Sequence, residues 1–251
     1  MRSEQIEFAG SQQAKLSARL DSPDGKPRAY ALFAHCFTCT KDIHAATHIC
    51  AELTRQGLAI LRFDFTGLGH SEGEFANTNF TSNIDDLCAA ALWLEQTYEA
   101  PQLLIGHSLG GAAVLAAAHR LPAVKAVATI AAPADIAHIT KLFTGSISEI
   151  EAKGDAEVYL AGRPFHIRKQ FLDDIAGHKL NDDIAHLGRA LIVFHAPEDE
   201  FVGIENAAKI FAAAKHPKSY ISLTGADHLL RRDEDARYVA QVLSVWASRY
   251  L

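Results

Sequence analysis

Apolar runs alternate with amphipathic stretches along most of the chain. The run Ala29–Ala34 is continuous, which is typical of a strand buried on both faces. A chain in which strands and helices alternate builds a mainly parallel sheet with helices on both faces. We therefore predict an α/β fold with eight strands, whose ligand site lies at the carboxyl ends of the strands. The predicted strands are 6–9, 15–20, 29–34, 59–63, 102–105, 124–130, 191–194 and 219–223, and the predicted helices are 43–55, 81–98 (capped by Thr81 or Ser82), 110–120, 204–214 and 233–250.

Residues 131–189 interrupt this alternation. They contain no clear buried strand, but they do contain charged helical fragments at 134–143 and 165–175. We predict a helical insertion at about residues 134–189 that lies above the sheet and acts as a lid over the ligand site. A helical excursion packed at the side of the sheet is the alternative. With 251 residues, the chain is of the size of one domain, 1–251.

Composition and charge exclude several classes of protein. The formal net charge is −6 and the charges are mixed, so no nucleic-acid partner is expected, because such affinity comes from clustered Lys and Arg. No apolar stretch has the length of a bilayer span, and the N-terminus lacks the apolar region of a signal peptide. Four cysteines in a chain of this length do not make a disulfide framework. These features predict a cytoplasmic protein with no membrane partner.

The segment Gly106-His107-Ser108-Leu109-Gly110 matches the motif G-x-S-x-G. It lies between a predicted strand and a predicted helix of small residues, which is the context of a nucleophile elbow. There the serine lies on a strained turn, and the flanking glycines let the backbone pass. The helix N-terminus also presents free N–H groups to developing negative charge. We predict that Ser108 is a nucleophile and that the N–H of Leu109 is one oxyanion donor.

A nucleophilic serine needs a base, and the base needs an acid that orients it. After a motif of this kind the acid precedes the base along the chain. The acid is expected just beyond strand 191–194, where Asp199 lies at the usual distance and its neighbours Glu198 and Glu200 are the alternatives. The base is expected after the last strand, which selects His228 among 13 histidines. The adjacent Asp227 is interpreted as structural.

The second oxyanion donor is expected in the loop after Ala29–Ala34. By position the donor is the backbone N–H of Phe37, whose side chain is also expected to line the acyl pocket. Cys36 and Cys39 flank it as a C-x-x-C motif. Because there is no second such pair and no thioredoxin-like unit around it, redox or metal chemistry is not expected, and the two thiols are interpreted as small loop residues.

These features together resemble the α/β-hydrolase superfamily over essentially the whole chain. The segment 62–73 is similar to the D-x-x-G-x-G-x-S segment of that superfamily, in which the residue at Asp64 shapes the loop. Many members have His-Gly in the oxyanion loop, where this chain has His35-Cys36. Cysteine lacks the conformational freedom of glycine, so this loop is expected to differ in shape.

A narrower resemblance is to bacterial hydrolases that are often fused to an OsmC-like domain. It rests on residues 35–42, 63–69, 75–80 and 160–165. In fused relatives the OsmC-like thiol peroxidase domain follows the hydrolase, whereas this chain stops at Leu251. A stand-alone member and a part of a longer fusion are both consistent with that.

The expected reaction is hydrolysis of an ester or thioester of a small acyl substrate by Ser108, His228 and Asp199, with no cofactor and no metal. The alternatives are perhydrolase (cofactor-free haloperoxidase) chemistry or C–C bond hydrolysis with the same residues, and a non-catalytic binding module of the same fold. His44 and His48 have the i, i+4 spacing of a zinc helix, but no Glu follows His44 as in H-E-x-x-H. They are interpreted as a solvated or half-buried helix face.

Overall fold

Strands and helices alternate along residues 1–251, all of which the computed structural model describes. The ten strands are β1 (Arg2–Ala9), β2 (Lys15–Ser22), β3 (Ala29–Ala34), β4 (Leu58–Phe63), β5 (Leu103–His107), β6 (Ala126–Ile130), β7 (Asp155–Leu160), β8 (Arg163–Arg168), β9 (Ala190–His195) and β10 (Lys218–Ser222). Eight of them form one sheet in the order β1-β2-β4-β3-β5-β6-β9-β10. The pairs β1–β2 and β2–β4 are antiparallel, and all other pairs in this sheet are parallel. The predicted α/β fold with a mainly parallel eight-stranded sheet is confirmed.

Helices cover both faces of this sheet. They are α1 (His44–Arg55), α2 (Phe80–Thr97), α3 (Leu109–Ala117), α4 (Ile147–Lys153), α5 (Lys169–Gly177), α6 (Leu180–Ala185), α7 (Glu205–Ala213) and α8 (Asp233–Ala247). Helices α1 and α8 share one core of 28 buried residues, while α2, α3 and α7 share a second core of 49. Because both faces are covered, β3, β4, β5, β6 and β9 are buried at every position. None of the helices combines the length and the hydrophobicity that crossing a membrane requires.

The N-terminus of α2 differs from the prediction. Asn79 is the cap, and neither Thr81 nor Ser82 is. The Asn79 side chain accepts from the Ser82 N–H at 2.8 Å, and the Ser82 hydroxyl accepts from the Asn79 N–H at 2.9 Å. Sequence reasoning missed this reciprocal capping box because the first residue of the helix, Phe80, is apolar and fully buried. An apolar residue at that position does not indicate where a helix begins.

The insertion between β6 and β9 contains a β-hairpin that was not predicted. Strands β7 and β8 pair antiparallel, so the expectation of no strand in this region was wrong, as was that of a helix from residue 165. Positions in β7 alternate between exposed and buried, and Ala161 and Gly162, both at positive φ, close a two-residue turn. The rest is helical as expected, with 3₁₀ turns over Ile136–Ser146 followed by α4, α5 and α6.

Candidate active site

Ser108 lies at the turn that connects β5 to α3. Its φ of 54° and ψ of −123° are outside the regions that side-chain-bearing residues usually adopt, which is the strain expected of a nucleophile elbow. Glycines make the turn possible. A Cβ at Gly106 would overlap the carbonyl oxygen of Gly110, and a Cβ at Gly110 would overlap the carbonyl oxygen of Ala34. The backbone therefore holds the serine side chain at the carboxyl end of the central strand, next to the N-terminus of α3.

Two consecutive hydrogen-bonding contacts join the three side chains that are predicted to act together. Ser108 Oγ is 3.1 Å from His228 Nε2, and His228 Nδ1 is 2.8 Å from Asp199 Oδ2. The other carboxylate oxygen of Asp199 accepts from the N–H groups of Phe201 and Val202, both at 2.9 Å. Burial alone would raise the pKa of Asp199, but the hydrogen bond and charge of His228 and these two N–H groups lower it overall. Asp199 is therefore ionised and fixed in orientation.

The neighbouring acidic residues lie elsewhere. Glu198 is exposed and accepts from the N–H of Gly225 at 3.0 Å, and Glu200 is exposed with no hydrogen bond to the protein. Asp227 accepts from the N–H of Arg231 at 3.0 Å, as a structural residue of its loop would. Of these four carboxylates, only that of Asp199 is within hydrogen-bonding distance of the His228 ring.

Two further buried histidines support this arrangement, and sequence reasoning missed both. His107 Nε2 donates to the carbonyl oxygen of His228 at 2.7 Å, and His195 Nε2 donates to the carbonyl oxygen of Val202 at 2.6 Å. Burial is the main cause that lowers the pKa of each, to about 3 for His107. Both rings are thus neutral donors that fix the loops on which His228 and Asp199 lie. Their position at the ends of buried strands was the available signal.

The loop between β3 and α1, residues 35–43 (the β3–α1 loop), contains Phe37. Neither its N–H nor that of Leu109 donates a hydrogen bond to another group of the protein, and the two residues line the same pocket. Cys36 and Cys39 form a disulfide that encloses Phe37, with their Cα atoms 5.2 Å apart. The interpretation of these cysteines as ordinary small loop residues was therefore wrong, because the turn brings two residues three positions apart within disulfide range.

Buried charges hold this loop in place. Asp64 is fully buried and accepts from the N–H and the ammonium of Lys41, each at 2.6 Å, and from the N–H of His70 at 3.0 Å. Arg62 donates to the carbonyl oxygen of Lys41 at 2.7 Å. The loop-shaping role predicted for Asp64 fits these contacts. From the insertion, Arg163 donates to the carbonyl oxygen of Thr38.

A small apolar pocket adjoins the two free N–H groups. Its closed volume is about 10 Å³, room for about one water molecule, and seven of its ten lining residues are hydrophobic. The ring of Phe37 lies 5.5 Å from that of Phe75 and 5.6 Å from that of Phe171, which belongs to the insertion. The insertion therefore packs against the β3–α1 loop, while its movement as a lid stays a prediction. The pocket is lined by His35, Cys36, Phe37, Phe65, Leu68, Phe75, Asn83, Leu109, Gly110 and Ala113.

Comparison with known proteins assigns the chain to a family. A family model described as serine aminopeptidase, S33, matches residues 25–154, just over half of the chain. The chain belongs to this family of α/β-hydrolase serine hydrolases. The matched residues include the β3–α1 loop, the nucleophile turn and Asp64, whereas Asp199 and His228 lie beyond them.

Three known proteins are similar to this chain in sequence or in fold. The crystal structure of an esterase domain from a Rhodothermus marinus protein is 50% identical, with a TM-score of 0.82 over 100% of this chain and 99% of that one. The mitochondrial palmitoyl-protein thioesterase ABHD10 of Mus musculus is 28% identical over 199 residues, or 77% of this chain, which spans only 63% of the mouse protein. Est1E from Butyrivibrio proteoclasticus with bound ferulic acid is 19% identical, with a TM-score of 0.80 over 98% of each chain, and shares the fold.

Proposed function

We propose that the chain hydrolyses esters or thioesters of small acyl groups through an acyl-enzyme on Ser108. The observation that carries this proposal is the continuous contact from Ser108 Oγ to His228 Nε2 at 3.1 Å and from His228 Nδ1 to Asp199 at 2.8 Å, on a strained strand-to-helix turn. Serine, base and orienting acid in this order are the arrangement that nucleophilic catalysis by a hydroxyl requires.

The proposed reaction has two halves. In the first, His228 takes the proton of Ser108 as Oγ attacks the carbonyl carbon, and Asp199 stabilises the imidazolium that forms. The oxyanion accepts from the N–H groups of Leu109 and Phe37 until the intermediate collapses and His228 protonates the departing alcohol or thiol. In the second half, water loses a proton to His228, attacks the acyl carbon and releases the acid, and the proton returns to Ser108.

The pocket supports a small, apolar or aromatic acyl group as the substrate. Its closed volume of about 10 Å³ is far below the roughly 300–1,000 Å³ of small-molecule sites, so an acyl group has to displace lining side chains to enter, which favours a small group over a long chain. Phe37, Phe65 and Phe75 line it, and aromatic side chains favour a flat apolar group. The 50% identity to an esterase domain supports an oxygen ester. The likeness to a palmitoyl-protein thioesterase is the specific reason to keep long-chain thioesters as the second candidate.

The proposal is tested by kcat/KM for a series of p-nitrophenyl esters from acetate to palmitate, an aromatic ester, and the matching coenzyme A thioesters. We expect the highest values for short or aromatic oxygen esters, and loss of turnover in Ser108→Ala. Ser148→Ala, an exposed serine of the insertion, is the matched control and keeps full activity. A maximum at palmitoyl thioester favours the second candidate. Turnover of peracid or diketone substrates alone favours perhydrolase or C–C hydrolase chemistry, and no turnover of any of them favours a binding module.

A further inference from the structure

Two histidines of α1 meet an aspartate of α8 on the protein surface. His44 and His48 are four residues apart on α1, and Asp233 is the first residue of α8. Asp233 Oδ1 lies 2.8 Å from His44 Nε2 and 3.4 Å from His48 Nε2. One ligand atom from each of the three groups lies within 4.8 Å of the other two. All three side chains are partly exposed, between 35% and 63%, so solvent ions reach them.

The hydrogen bonds of the two rings determine which nitrogen carries the hydrogen. His44 Nδ1 is 3.0 Å from the carbonyl oxygen of Leu230, and His48 Nδ1 is 3.0 Å from the carbonyl oxygen of His44. Because a carbonyl oxygen only accepts, each Nδ1 carries a hydrogen, and in the neutral ring Nε2 then has a free lone pair. Both lone pairs lie next to the same carboxylate oxygen of Asp233. Three electron-pair donors face one another, which is unfavourable unless a cation lies between them.

Protonation of the two rings stabilises this cluster of His44, His48 and Asp233 less well than one metal ion between them does. If both rings were protonated, two imidazolium cations would be stacked with their centroids 3.9 Å apart, and like charges at that distance repel. If only His44 were protonated, the lone pair of His48 would still face the carboxylate. A divalent ion is attracted to all three groups at once.

We propose that His44 Nε2, His48 Nε2 and the carboxylate of Asp233 bind one Zn²⁺ ion, with water as the remaining ligand. Ligand atoms held tetrahedrally at about 2.0–2.1 Å from zinc lie about 3.3–3.4 Å apart. The 3.4 Å between His48 and Asp233 matches this spacing, and the 2.8 Å between His44 and Asp233 has to lengthen by about 0.5 Å, which exposed side chains allow. Histidine ligands of zinc usually donate their other N–H to a carbonyl oxygen, as both rings do here. Imidazole nitrogens select such a transition ion over Mg²⁺ or Ca²⁺.

The ion joins two segments that lead to the active site. α1 follows directly on the β3–α1 loop with Phe37, and Leu230, whose carbonyl oxygen contacts His44, lies two residues after His228. Zinc therefore fastens α1 to the start of α8 and stabilises the folded chain. This role adds a site that the proposed hydrolysis does not use, since His44, His48 and Asp233 do not line the acyl pocket.

The test uses the full chain, freed of metal with a chelator, and Zn²⁺ alone as the titrant in calorimetry. We expect one ion per chain and a Tm higher by about 5–10 °C at a free Zn²⁺ concentration about 100 times the Kd. His48→Gln and Asp233→Asn should each weaken binding by more than about 100-fold, since second-shell losses alone cost about 10–100-fold. The matched control is His166→Gln, an exposed histidine beside Asp155 and Glu157, which should leave the affinity unchanged.

Cobalt substitution gives a second readout, because Co²⁺ in a tetrahedral site absorbs visible light strongly. The band should appear in the unsubstituted chain and disappear in His48→Gln, whose fold is checked by circular dichroism. Absence of stoichiometric Zn²⁺ binding overturns the proposal and leaves an ion pair of His44 with Asp233. Unchanged affinity in a folded His48→Gln protein overturns it as well.

Discussion

The buried imidazole of His107 donates a hydrogen bond from Nε2 to the carbonyl oxygen of His228 over 2.7 Å. This contact joins the turn that holds Ser108 to the loop that holds the base. Burial, and then the positive charge of a protonated His228, lower the pKa of His107 to about 3, so the ring is neutral at neutral pH. A neutral histidine of this kind makes the stability of the protein depend on pH.

Stability should fall in acid because of His107. Its pKa is about 6.5 in the unfolded chain and about 3 in the folded one, so between these values the unfolded chain binds a proton that the folded chain does not. The stability that the neutral His107 ring contributes is fully present above pH 6.5. Below that value, down to about pH 3, the free energy of unfolding decreases by about 1.4 kcal/mol for each pH unit. Urea unfolding of the wild type and of His107→Gln between pH 7.5 and 4.5 measures it. The variant, which keeps a donor but does not titrate, should have the shallower dependence; identical slopes would show that His107 is not responsible.

Asp199→Asn should lower kcat by about 10³–10⁴-fold, because an amide orients the wrong tautomer of His228 and does not stabilise the imidazolium. Glu198→Gln and Glu200→Gln are matched controls, since both glutamates are exposed and neither contacts the base. They should change kcat less than about twofold, the size expected of a surface substitution. Steady-state kinetics of the three variants on one ester gives the comparison. If kcat fell further in either glutamate variant than in Asp199→Asn, that glutamate and not Asp199 would be the residue that orients His228.

The Cys36–Cys39 disulfide should support catalysis by holding the loop that presents the N–H of Phe37. Exchange with dithiothreitol yields two thiols and frees this loop, so kcat should fall by up to the 10²–10³-fold typical of a lost oxyanion donor, with KM little changed. The double variant Cys36→Ser/Cys39→Ser should show the same low kcat without reductant and no further effect of dithiothreitol. Cys88→Ser, which removes an unpaired cysteine, is the control. Full activity of the double variant would contradict this role.

The buried pair of Lys41 and Asp64 should be costly to break. Asp64→Asn removes the closer and fully buried counter-charge of the Lys41 ammonium and leaves only the half-exposed Asp42 at 3.6 Å, so the loss should approach the about 3–5 kcal/mol of a broken buried pair. The comparison is Glu149→Gln, which breaks the exposed pair with Lys153 and should cost less than about 1 kcal/mol. Chemical unfolding of both variants measures the difference, and equal losses would show that the loop is held by other contacts.

The sequence predicted features that short patterns and chain order determine. The turn at Ser108 follows from five adjacent residues, and Asp199 and His228 follow from their places after successive strands. Features that depend on contacts between distant segments were not predictable in this way. Asp233 approaches His44 only because α1 and α8 pack on the same face of the sheet, and His107 reaches the His228 loop through the core.

Local patterns also failed where they were short or mixed. The hairpin of β7 and β8 was missed although positions in β7 alternate between exposed and buried, because that alternation covers only six residues and β8, which is mostly exposed, does not continue it. The two cysteines were interpreted without a disulfide because spacing alone does not give the distance between their Cα atoms. In each case the missing information was the path of the backbone.

The central claim is that Ser108 is an activated nucleophile, and covalent labelling tests it most directly. Folded protein is incubated with a fluorophosphonate probe, and the adduct is counted by intact mass and located by peptide mapping. We predict one adduct per chain, on Ser108, and none in Ser108→Ala or in the unfolded wild type. A folded wild-type protein without an adduct on Ser108, or an equally labelled Ser108→Ala protein, would contradict the account.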